Sequence, residues 1–80
     1  MNFEIIKSAI DKWDPIDLLT HAPKDEYDVE CLQISKVYTE SIEELGKSIY
    51  IIFLTSFGSA FSKNEEDCIV IAKAIIDIST

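Results

Sequence analysis

Apolar residues at positions 3, 6, 10 and 13, with 5 and 9 beside them, follow the i, i+3, i+4, i+7 spacing of one helix face. The spacing predicts a helix from Phe3 to Trp13, with Asn2 as its N-cap and Glu4 at the positive end of its dipole. Pro15 cannot continue that helix and biases Asp14 away from helical angles. Asp14-Pro15 therefore reads as a cap followed by proline at the first position of a short extra turn. Ile16, Leu18 and Leu19 are expected to point inward from that turn, which His21-Ala22-Pro23 ends.

A second helix is expected from about Asp28, its N-cap, with Tyr27 stapled onto the first turns. Tyr27, Cys31, Ile34, Val37 and Tyr38 form its apolar stripe, and Thr39-Glu40 makes a brief connection. Ser41-Ile42-Glu43-Glu44 has the capping-box order, serine at N-cap and glutamate three residues on. From Ile42 to about Phe57 the pattern is dense: Leu45, Ile49, Ile52 and Phe53 share one stripe, and Tyr50, Ile51 and Leu54 fill other faces. A helix apolar nearly all round is central in a bundle or covered by another chain, and the central position is the expectation here. Gly58 stops it. The last helix begins near Asn64, with Glu65, Glu66 and Asp67 in its first turn and Cys68, Ile69, Ala72, Ile75 and Ile76 facing inward.

Strands compete for Ile49 to Leu54 and Ile69 to Ile71, which are rich in β-branched and aromatic residues. Length and capping decide for helix, and no two-residue Asn-Gly or Asp-Gly hairpin turn occurs. The expected fold is all-α: one small domain over residues 1–80, a compact antiparallel four-helix arrangement with an extra short turn after Pro15. An apolar fraction of 48% excludes disorder of the low-hydrophobicity kind.

Charge narrows the function classes. Fifteen acids face seven lysines with no arginine, for a net charge of −8. That balance opposes phosphate backbones, so direct nucleic-acid binding is not expected. A partner with a basic face suits it better, because complementary fields speed encounter. The excess is local: residues 11–30 hold seven acids and two lysines. The longest apolar run, Ile49 to Leu54, is far short of the ~20 residues that span a bilayer. No basic start followed by an apolar run opens the chain, and a cytoplasmic location is expected. Cys31 and Cys68 make neither a disulfide framework nor a zinc site and are expected to behave as small hydrophobes.

The most distinctive words are Trp13-Asp14-Pro15-Ile16 and, after Ala22-Pro23-Lys24, Asp25-Glu26-Tyr27-Asp28. On these the chain resembles the YugE-like family, short bacterial proteins of unassigned function with a W-D-P-[IL] motif and a later D-E-Y-D. The resemblance departs at Asp17, where glycine is common, and at Val29, where proline is common. It implies a small helical domain and supplies no activity.

The residues themselves support a structural reading first: Trp13 closing the first helix, Asp14 capping the next turn, Asp25 or Asp28 capping the second helix. The functional alternative takes Asp14, Asp17, Asp25, Glu26, Asp28 and Glu30 as one acidic surface for a partner. They lack the calcium-loop order of alternating acids, mid-loop glycine and distal glutamate, so no metal is expected. There is no nucleophile motif, no glycine-rich phosphate loop and a single histidine, His21, so neither a cofactor nor catalytic residues are expected. Three functional readings remain in order: an acidic interaction protein of inhibitor, immunity or accessory type; a homodimeric or accessory subunit using the third helix; and a metal-dependent or acid–base enzyme using Asp14, Asp25, Glu26 and His21. In the structural reading Trp13 is a core residue whose truncation costs about 3–5 kcal/mol, and a truncation that costs little would make it an exposed contact residue and favour the interaction protein.

Overall fold

In the computed structural model, which describes residues 3–16 and 26–79, the chain is all-α. Helix α1 spans Phe3–Trp13, α2 Asp28–Lys36, α3 Ile42–Phe57 and α4 Glu65–Ser79, with a 3-10 turn at Gly58–Ala60. No strand occurs among the described residues, and both segments with β-like composition lie inside α3 and α4. Pro15 and Ile16 form the start of the expected turn; its remainder, with Leu18, Leu19 and His21, lies outside the described residues, as does Asn2. The four helices pair in a ring: α1 packs on α2 and α4, and α3 packs on the same two neighbours.

The ends of the helices follow from local chemistry. Asp14 has φ 45°, and its N–H donates to the Ile10 carbonyl at 2.8 Å, so it closes α1 in the left-handed conformation that aspartate tolerates better than most residues. Ser41 caps α3 by accepting the Glu44 N–H at 3.4 Å. The reciprocal half of that box is made differently, by the Ser41 N–H donating to Thr39 Oγ1 at 3.3 Å. Gly58 ends α3 at φ 54°, as expected. At α4 a full reciprocal box forms: Asn64 Oδ1 accepts the Asp67 N–H at 2.9 Å, and Asp67 Oδ2 accepts the Asn64 N–H at 3.2 Å.

Helix α2 begins otherwise than its sequence suggested. Tyr27 holds the N-cap position, with no side-chain cap, and its carbonyl accepts the Cys31 N–H at 2.9 Å. Asp28 is the first helical residue, and its carboxylate turns to α1 instead of to its own backbone. The helix stops at Lys36, so the period that placed Val37 on the inner stripe no longer applies and Val37 is 47% exposed.

The core is apolar throughout, with Ile6 and Ile10 from α1, Cys31 and Ile34 from α2, Leu45, Ile49 and Phe53 from α3, and Cys68, Ala72 and Ile75 from α4. Gly46 lets α3 and α4 approach. A Cβ there would stand 2.7 Å from Ile69 Cγ1 and 2.9 Å from Ile69 Cα, closer than real carbons pack. Beyond Gly58 the chain turns back along α3, putting the Phe61 ring 5.5 Å from Phe53 and 6.0 Å from Tyr50. Ile51 and Leu54 stay on the outside of α3, so this helix is buried along one stripe and not all round.

Candidate functional site

Both halves of the distinctive motif meet at one junction. Tyr27 is fully buried, and its ring lies edge-on to Phe53 and Phe57 with centroids 5.9 and 6.0 Å away. It therefore reaches across to α3, which the expected staple onto its own helix did not anticipate. Its hydroxyl donates to Asp14 Oδ1 at 2.5 Å and accepts the Ile16 N–H at 3.4 Å. Trp13, the residue before Asp14, packs edge-on against Phe53 and Phe61. One phenol thus ties the exit of α1 to the entry of α2, and Phe53 is the ring around which Trp13, Tyr27, Phe57 and Phe61 gather. Edge-to-face pairs of this kind add about 0.5–1.5 kcal/mol each beyond the area they bury.

A second tie runs between α1 and α2. Lys7 Nζ sits 2.6 Å from Asp28 Oδ1 and 3.1 Å from Asp11 Oδ2. The hydrogen bond to Asp28, aided by Asp11 and opposed by desolvation, raises the Lys7 pKa above its ordinary value. The side chains are a quarter to two-fifths exposed, so the pair contributes little stability of its own.

The six acids expected to form one surface are used unequally. Asp14 is engaged by Tyr27 and Asp28 by Lys7. Glu30 is 7% exposed, and its Oε1 makes no hydrogen bond, which is an unusual position for a carboxylate. Glu26 is exposed, in the turn before α2. Asp17 and Asp25, and with them His21, lie outside the described residues. Among the described residues, no group of three or more histidine, cysteine or acidic side chains is placed to hold a metal ion.

Cys31 and Cys68 are both free and fully buried. Burial pushes each thiol up to about 12, because a thiolate in the core would lose its hydration. They are packing residues, not nucleophiles.

The outer side of α2 carries what the motif reading missed. Val29 is 62% exposed and Leu32 49%, and with Phe3 of α1 and the edge of Asp28 they line an open groove of about 300 Å³. The signal was present in the sequence: Val29 and Leu32 stand three apart, on a face left over once the inner stripe is assigned. A second groove, of about 310 Å³, opens between α1 and α4 over Ala9, Ala74 and Ile71, with Lys12, Trp13 and Ile78 at its sides.

Residues 4–80 match the family model for a domain of unknown function, DUF1871. The chain belongs to the DUF1871 family. The match takes in all four helices but Phe3, the first residue of α1, and therefore both motif segments and the groove residues of α2. Membership carries no activity, since the family is described only as a domain of unknown function. Neither the curated proteins nor the solved structures gave a match. No described helix is long and apolar enough to cross a membrane.

Proposed function

We propose that this domain is a non-catalytic protein-interaction module, of inhibitor, immunity or accessory type, that takes a partner with a basic surface. One observation carries the reading: α2 leaves Val29 and Leu32 in solvent beside Phe3, in a chain with net charge −8. Large apolar side chains grouped on an outer face gain nothing for the fold and suit a docking surface. The surrounding negative field selects for, and speeds the arrival of, a positive partner. Within the DUF1871 family, Trp13-Asp14-Pro15-Ile16 and Asp25-Glu26-Tyr27-Asp28 favour placement with the bacterial YugE-like proteins, and a cytoplasmic location accords with the free thiols.

The test is affinity capture at low and at high salt, repeated with each captured protein in purified form. The expected result is a protein with a basic surface whose affinity falls steeply as salt screens the encounter. A partner indifferent to salt, or an acidic one, contradicts the reading.

A second reading has one observation in its favour. Ile51 and Leu54, three residues apart on α3, are 53% and 42% exposed and suit a homodimer or accessory-subunit face. Sedimentation at micromolar concentration distinguishes it: a clean monomer removes the homodimer. Acid–base or metal-dependent catalysis by Asp14, Asp25, Glu26 and His21 has less support, because Asp14 is already committed to the Tyr27 hydroxyl.

A further inference from the structure

We infer that the groove between α1 and α2 is the docking site itself, and that its occupant is an amphipathic protein segment presenting a large apolar side chain flanked by lysine or arginine. This rests on the interaction reading above and assigns it a place and a partner chemistry. The floor is apolar: Phe3, Val29 and Leu32 surround an open volume of about 300 Å³, at the small end of the range of ligand clefts and large enough to take an apolar side chain. The rim supplies the sign. Glu26, three residues before Val29, is exposed in the turn that enters α2. Asp28 lines the groove with 40% of its side chain exposed, and its cation Lys7 is shared with Asp11, so those three groups together remain negative. Lys36, exposed one turn beyond Leu32, is the positive group at the far end. The groove is thus acidic at the start of α2 and basic at its end, which orients a segment with its cations toward Glu26 and Asp28. The groove over Ala9 and Ala74 is flanked instead by Lys12 and fits such a segment less well.

Two synthetic helical peptides with the same leucine face, one flanked by lysines and one by glutamates, test this against the whole domain by methyl chemical-shift mapping. The lysine peptide is expected to move the Val29 and Leu32 methyls and to leave those of Ile51, Leu54 and Ile78 in place, while the glutamate peptide moves none. The double variant Val29→Ser/Leu32→Ser, which alters only exposed positions, is expected to weaken the lysine peptide at least tenfold by removing the apolar floor. Shifts centred on another surface, equal response to both peptides, or no response to either would overturn the assignment. The two proposals fail separately: a salt-sensitive basic partner that still binds the double variant refutes the groove alone, whereas a lysine peptide in the groove with no such partner captured refutes the wider reading alone.

Discussion

On its inner side α2 sets Tyr27, Cys31 and Ile34, none of them exposed, against the other helices; on its outer side Val29 and Leu32 stand in solvent. The inner face is over-determined, with Tyr27 held by two aromatic contacts, a carboxylate and a backbone N–H. The outer face is held by nothing described beyond the rim of Phe3 and Asp28. Trp13, Asp14 and Tyr27 of the distinctive words are spent on the inner side, and the apolar residues that floor the outer groove are ones those words do not name. Distinctiveness of sequence marks here where the chain must be tied, not where it must react.

Breaking the inner face should have the largest effect. Phe53→Ala removes the hub of the aromatic group and is expected to cost about 3–5 kcal/mol, comparable to the whole stability of many domains this small. Trp13→Ala should cost less than that, because Trp13 is only half-buried and borders an open groove. Urea unfolding measures both, and a Trp13 loss equal to that of Phe53 would contradict the ranking.

Next in size comes Gly46→Ala. A methyl forced against the backbone of Ile69 leaves α4 no neighbour that can give way, so a loss of about 1–3 kcal/mol is expected despite the better helix propensity of alanine. A gain in stability would show that the two helices separate freely at this point.

The thiols sharpen the same contrast through pH. Each is raised by burial, so the folded state holds its proton more tightly than the unfolded chain does. Their contribution is complete below the ordinary thiol value near 9 and is lost as pH rises from there toward 12. A Cys31→Ala/Cys68→Ala variant, less stable at neutral pH, should lose less of its stability over that interval than the parent. Parallel alkaline profiles would place the thiols outside the core.

Smallest should be the effect on the outer face. Val29→Ser and Leu32→Ser are expected to change stability by no more than about 0.5 kcal/mol each, since both side chains are largely in water already. A loss of several times that size in thermal melts would mean that the face belongs to the fold.

The helices themselves were legible in the sequence, because period, caps and breakers act over a few residues. Gly58 as a stop, Ser41 as a cap and the inner stripes of α1 and α4 needed no tertiary information. What escaped was set by distant partners. Gly46 reads as a weak helix position until Ile69 arrives against it, and the Asn64–Asp67 box uses aspartate where glutamate is the usual signal. Asp28 looked like a cap because aspartate caps so often, yet Lys7, twenty-one residues earlier, offered its carboxylate a charge. For the candidate site, Asp14 reads from sequence as a cap or as part of an acidic surface, and the hydrogen bond it accepts from a buried phenol at the other end of the motif has no local signature.

The coupling between Asp14 and Tyr27 is measured most directly by a double-mutant cycle with Asp14→Ala and Tyr27→Phe, read by equilibrium unfolding. Tyr27→Phe alone should cost about 1–3 kcal/mol, by removing the hydroxyl that donates to the Asp14 carboxylate. If the motif is a tie between helices, the two losses overlap, and the cycle returns a coupling of about 0.5–3 kcal/mol. Losses that simply add would show that the two groups do not depend on each other, and the motif would then need a purpose other than holding the fold.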